Sequence, residues 1–220
     1  MREQICPMFS TPLGVYRWDE DKTNELKDLT RTLLAERSKE NDIDGSPVSS
    51  DLFHFWNTSG RSFLYEDHPL IREFEKFLSE SYIDFTQNVY EWDMTTEHHI
   101  TECWVNVTKK GGWQYKHSHS NSFVSGTFYL NYPPGCTGLT FTHFSKEKTA
   151  PYLSPNPKRP NKYNSETLTM RPDEGILFLW SSNLTHETEI LTEDVRRVSI
   201  SMNFVPTVID TGVYRLRLSQ

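Results

Sequence analysis

A change of period constrains this chain most. Before about Ile100, apolar residues recur at helical spacing; beyond it they recur at every second position. In Thr23–Lys39, Leu26, Leu29, Leu33 and Leu34 share one helical face, with charges elsewhere. Asn41–Ser50 holds Asp44, Gly45 and Pro47 and reads as the turn that ends this helix. A second helix is predicted from Asp67-His68-Pro69, with Pro in the first turn and an apolar face running from Leu70 through Phe74, Leu78 and Tyr82 to Val89. Strands are predicted over 102–107, 122–131, 138–144, 167–170, 175–180, 185–191 and 195–205, separated by Gly, Pro, Asn and Asp. Many short strands after a helical preface predict a sandwich or barrel with helices on one face.

Composition sets outer limits. The 220 residues can bury a core, and 29 Phe, Tyr and Trp side chains with 35% apolar content exclude wholesale disorder. A net charge of −7 argues against a generic basic nucleic-acid binder. Residues 1–100 carry 20 acids against 10 bases, and residues 101–220 carry 10 against 13. That slightly basic second part would suit an acidic substrate. Three cysteines (Cys6, Cys103 and Cys136) without a CxxC pair predict a reducing compartment. Met1–Ser10 has no long apolar stretch, and the run Ile176–Trp180 is too short to span a bilayer. A soluble cytoplasmic protein with no membrane partner is therefore expected. The helical part either braces the sheet or shapes a homodimer interface.

Three segments and a lone histidine could carry chemistry. In Lys116-His117-Ser118-His119-Ser120, extended backbone would project both imidazoles to one side, where they could grip a metal ion; paired surface histidines are the plain alternative. In Ser125–Asn131, one face holds Ser125, Thr127, Tyr129 and Asn131 and the other Phe128 and Leu130. In Arg197–Phe204, Arg197, Ser199, Ser201 and Asn203 oppose Val198, Ile200, Met202 and Phe204. Such polar rows either face solvent or line a cavity, where they need water or a ligand. His186 follows a buried apolar strand and a polar corner. Ser145–Glu166, rich in Pro and Lys, reads as a surface insertion or a lid. His54, His68 and the His98-His99 pair have structural or surface readings, and His143 reads as a core histidine, the alternative being that it reaches a substrate cavity. Trp104 and Trp180 read as packing residues.

In order, HxH at 117–119, SGTFYLN at 125–131, PxxGxLxLW at 172–180, His186 and RVSISMNF at 197–204 resemble the 2-oxoglutarate/Fe(II)-dependent dioxygenases. The similarity is to the branch related to prolyl hydroxylases, with many phage-borne or marine bacterial members, and it covers roughly Glu102 to Val205. Met8–Leu13 also resembles the start of such proteins.

The resemblance implies a mainly β fold: a double-stranded β-helix, or jelly roll, with N-terminal helices packed on one sheet. It divides a single domain, 1–220, into a helical support (1–100), a catalytic core (101–207) and a C-terminal extension (208–220). It implies Fe(II), 2-oxoglutarate as cosubstrate and dioxygen, with decarboxylation to succinate coupled to hydroxylation of a peptidyl prolyl or other side chain, or of a small metabolite. His117 and His186 match metal ligands. His119 stands where most of the superfamily has Asp and is read as a third, neutral ligand, the alternative being that it points away and water replaces it. Arg197 matches the arginine for the far carboxylate of 2-oxoglutarate, and Tyr129 a hydroxyl donor to it. Ser199, Thr127, Asn106 and Asn203 are the further expected neighbours of the cosubstrate. The rival class is a non-catalytic jelly roll that binds a ligand or partner.

Overall fold

The structure is a computed structural model that describes residues 10–37, 49, 51–58, 60–92, 96–142, 158–159, 161 and 165–218. Cys6, His143, most of the 41–50 turn, Met8-Phe9 and most of the 145–166 segment lie outside the described residues. The strands are β1 (Gly14–Arg17), β2 (Leu52–Phe55), β3 (His98–Thr108), β4 (Gln114–His117), β5 (Val124–Asn131), β6 (Leu139–Thr142), β7 (Thr167–Met170), β8 (Ile176–Ser181), β9 (His186–Thr188), β10 (Arg197–Pro206), β11 (Val208–Asp210) and β12 (Arg215–Arg217). The helices are α1 (Glu20–Glu36) and α2 (Pro69–Asp84).

Two antiparallel sheets form the jelly roll. The larger runs β1-β8-β5-β10-β3-β2 and the smaller β4-β9-β6-β7. The helical first hundred residues thus also supply both edge strands of the large sheet, β1 and β2. These four-residue strands were missed in the sequence because they are too short to establish a period. The 208–220 extension contains a separate hairpin, β11–β12.

Helix boundaries follow local chemistry. The Asp19 carboxylate accepts from the Lys22 amide at 3.0 Å and starts α1 three residues before the apolar face suggested. His68 caps α2: its Nδ1 accepts from the Leu70 amide at 3.2 Å, and Pro69 follows at the first position. α2 closes at Asp84 and continues as a π-helical turn, Phe85–Val89, so Val89 leaves the apolar stripe and is exposed. His98 is more than a surface residue: its ring packs on Tyr82 with centroids 4.4 Å apart, and its Nε2 meets Ser79 Oγ at 3.1 Å.

Strand parity sorts the large sheet into two environments. Phe128 and Leu130 of β5, Leu177 and Leu179 of β8, and Val198, Ile200, Met202 and Phe204 of β10 join α1 and α2 in one apolar core. Phe128 is fully buried against Trp18, Phe74 and Phe77. The opposite face, with Tyr129, Phe178 and Trp180, packs on Leu139 and Phe141 of the small sheet. Gly126 is needed where β5 meets its neighbours: a Cβ there would lie 2.6 Å from Leu179 Cδ2 and 2.9 Å from Met202 Sδ. No described helix is long and apolar enough to cross a membrane.

Truncating the residue that joins helices to sheet removes contacts on both sides. Phe128→Ala is expected to cost about 3–5 kcal/mol of unfolding free energy, read by chemical denaturation.

Candidate functional site

β4 and β9 pair so that His117 sits directly opposite His186. His119 lies two residues beyond His117, and its amide donates to the Ser182 carbonyl at 2.9 Å. The three rings converge: centroids are 4.3 Å apart for His117–His186, 5.1 Å for His117–His119 and 5.3 Å for His119–His186. One nitrogen from each ring lies within 4.8 Å of the other two, a spacing that one metal ion could bridge. A hydrogen-bond acceptor fixes two of the tautomers. Nδ1 of His117 faces the Tyr115 carbonyl at 2.8 Å, and Nδ1 of His186 faces the Leu184 carbonyl at 3.0 Å. A carbonyl only accepts, so each Nδ1 carries the proton and each Nε2 keeps its lone pair for a metal. Burial, reinforced by the neighbouring His117, lowers the His186 pKa to about 3, so it is neutral at pH 7 as a ligand must be.

At the other end of β10, Arg197 is buried at 5% exposure. Its Nη1 donates to the Thr137 carbonyl at 3.1 Å, and its Nη2 donates to Thr108 Oγ1 at 3.1 Å and, more weakly, to Thr188 Oγ1 at 3.4 Å. Its Nε is buried without a partner, and no carboxylate among the described residues pairs with this guanidinium. A buried cation surrounded only by neutral oxygens is suited to an anionic ligand. Tyr129 stands opposite Ser199 in the sheet. Burial raises the Tyr129 pKa, with the Arg197 charge opposing, so its hydroxyl remains a donor at neutral pH. Arg196 is exposed.

The remaining polar rows do not form one group. Trp104 Nε1 donates to Asn106 Oδ1 at 2.9 Å, Asn106 Nδ2 donates to Ser201 Oγ at 2.9 Å, and Thr127 Oγ1 meets Ser201 Oγ at 3.0 Å. These bonds satisfy the middle of the cavity wall from within. Asn203 sits away from Arg197, at the histidine end: its Oδ1 accepts from Ser125 Oγ at 2.8 Å, while its Nδ2 donates to Glu102 and lies 3.5 Å from His119 Nδ1. Six residues of strand separate Asn203 from Arg197, roughly 20 Å. Trp104, Asn106, Thr127, Ser201 and Glu102 line one cavity of about 250 Å³ together with His119 and Arg197, and its wall also includes His54 and Glu187; Asn203 and Ser125 lie behind that wall.

Thr108, Thr137 and Thr188 around Arg197 were not foreseen in the sequence. They come from three different segments, two strands and the β5–β6 connection, and only the fold brings them together. Trp180 is the core residue expected from the sequence and also packs edge-on to His186 at 4.9 Å. Trp104 is different: it is half-buried in the cavity wall, 6.2 Å from His119 between ring centroids.

The neutral, buried His186 has a consequence for stability. In the unfolded chain it takes up a proton below about pH 6.5, whereas in the folded protein it resists to about pH 3. The unfolded state therefore binds more protons in that window, and folding stability falls as pH falls. Metal-free protein is expected to lose about 2 kcal/mol between pH 7.5 and 5 by denaturant titration, with a shallower slope in His186→Gln.

Residues 102–203 match the family described as "Putative 2OG-Fe(II) oxygenase". No curated protein matches the chain in sequence. Among solved structures, a Pseudomonas putida prolyl-4-hydroxylase is 14% identical, with a TM-score of 0.59 over 90% of this chain and 94% of that one. HygX from Streptomyces hygroscopicus, solved with nickel, 2-oxoglutarate and hygromycin B, is 13% identical, with a TM-score of 0.59 over 90% and 84%. A Trichoplax adhaerens prolyl hydroxylase in complex with a hypoxia inducible factor peptide fragment is 14% identical, with a TM-score of 0.60 over 88% and 83%. At these identities the likeness is one of fold. The stretch from Glu102 to Asn203 is therefore matched to the 2OG-Fe(II) oxygenases, a family dependent on Fe(II) and 2-oxoglutarate, and it is carried on the jelly-roll fold of such enzymes.

Proposed function

We propose that this chain is an Fe(II)- and 2-oxoglutarate-dependent hydroxylase in which His117, His119 and His186 hold the metal. The observation that carries this reading is the convergence of three imidazoles in one cavity, two with the proton held on Nδ1. Fe(II) and 2-oxoglutarate would supply oxidation of a C–H bond coupled to decarboxylation. An all-histidine set leaves the site without the negative charge of a ligating carboxylate.

Arg197 would bind the far carboxylate of 2-oxoglutarate through the guanidinium edge that carries the unpartnered Nε, and the Tyr129 hydroxyl would donate to the same group. Thr108, Thr137 and Thr188 orient the guanidinium, and Ser199 stands beside Tyr129. Asn106, Thr127 and Ser201 hold the wall rigid between the two ends. Asn203 belongs in this reading to the metal end and the Glu102 side of the cavity rather than to the cosubstrate carboxylate. Residues 101–207 would form the catalytic core, braced by residues 1–100. The substrate is a peptidyl side chain or a small metabolite, and the prolyl hydroxylase neighbours favour the peptide.

Anaerobic titration with Fe(II) and then 2-oxoglutarate, followed by visible absorption, tests this reading. A saturable charge-transfer band is expected, and its absence with no metal retained would overturn the proposal. His186→Ala is expected to abolish both metal binding and the band; normal iron content would refute the ligand assignment. Arg197→Ala is expected to weaken 2-oxoglutarate binding at least about tenfold with metal content near normal. Unchanged cosubstrate affinity would remove Arg197 from the role.

A further inference from the structure

The inward row of β3 continues past the residues assigned above. Glu102, Trp104, Asn106 and Thr108 stand opposite Asn203, Ser201, Ser199 and Arg197 of β10. Charge is therefore distributed unevenly along the cavity. Three residues of its described wall carry charge: Arg197, Glu187 and Glu102. Arg197 lies at one end. Glu187 is paired with Lys116 at 3.5 Å. Glu102 lies at the histidine end and accepts from Asn203, and no Lys or Arg among the described residues forms an ion pair with it. The half-buried Trp104 ring is two residues away on the same face, between Glu102 and the middle of the wall.

From this arrangement we infer that the primary substrate carries a cationic nitrogen, an ammonium or guanidinium, read by the Glu102 carboxylate and the face of Trp104. The inference rests on the oxygenase reading and names the substrate class of that site. A carboxylate beside an aromatic face, partly shielded from water, attracts a cation through both charge and the ring quadrupole. Arg197, at the far end, draws the dianionic cosubstrate in the opposite orientation. The two ends therefore sort their ligands by sign, and an acidic substrate would meet repulsion beside the metal. The slightly basic charge of residues 101–220 pointed the other way. That balance is a sum over the surface, whereas the sign inside the cavity is set by the few residues that line it.

The test uses full-length protein loaded with Zn(II), which blocks turnover, and 2-oxoglutarate. Two matched pairs are titrated by calorimetry: N-acetyl-lysine methylamide against its norleucine counterpart, and N-acetyl-arginine methylamide against its citrulline counterpart. In at least one pair the cationic member is expected to bind about tenfold tighter than the neutral one. Glu102→Gln, which keeps an acceptor for Asn203, is expected to erase that difference while metal and 2-oxoglutarate still bind. Trp104→Leu is expected to reduce it. Equal affinity within both pairs, no binding by any member, or a preference that survives Glu102→Gln would overturn the inference. Loss of Zn(II) in Glu102→Gln would also overturn it, by assigning the carboxylate to the metal. Failure of wild-type protein to hold Zn(II) and 2-oxoglutarate would instead be failure of the oxygenase reading, and the inference would fall with it.

Discussion

The two-residue alternation of β10 is the constraint on which the rest of this structure depends. Val198, Ile200, Met202 and Phe204 must be covered, and α1 and α2 cover them. Arg197, Ser199, Ser201 and Asn203 are thereby turned inward, under the small sheet, where all four are buried. A buried polar row is stable only if its hydrogen bonds are made. β5 and β3 supply most of the partners: Ser125 for Asn203, Thr127 and Asn106 for Ser201, and Thr108 for Arg197. The apolar core on one side and the cavity on the other are consequences of a single strand pattern.

The cavity has two ends of different character. At one end, a guanidinium is surrounded by threonine oxygens and a backbone carbonyl and keeps a buried N–H without a partner. At the other end, three imidazoles meet, two of them oriented by the backbone carbonyl two residues earlier in the chain. Between them, hydrogen bonds among Trp104, Asn106, Ser201 and Thr127 hold the wall. Such a division suits a small dianion that bridges a cation and a metal, and it leaves the Glu102 side for whatever approaches last.

Much of this was legible in the sequence. The helical stripe from Leu70 to Tyr82 and the alternations in β5 and β10 are local patterns with few alternatives. Adjacent positions in an extended segment face opposite ways, and the fold buries Arg197 and exposes Arg196 accordingly. Less legible were the short strands β1 and β2, the π-helical end of α2 and the packing of His98 on Tyr82. Each depends on what the fold places nearby rather than on a run of residues. Asn203 shows what parity leaves out: it shares the face of Arg197, but the strand between them carries it to the histidine end, beside His119 and Glu102.

The sequence by itself determined which faces are apolar, where the period changes and which histidines and arginine could carry chemistry, because side-chain direction in a strand follows from position parity. Only the tertiary structure decided that His186 pairs with His117, that three threonines from separate segments surround Arg197, and that Glu102 stands at the histidine end of the cavity. Those relations are set by sheet register and by the closure of one sheet over the other. They join residues tens of positions apart through contacts that no local pattern encodes.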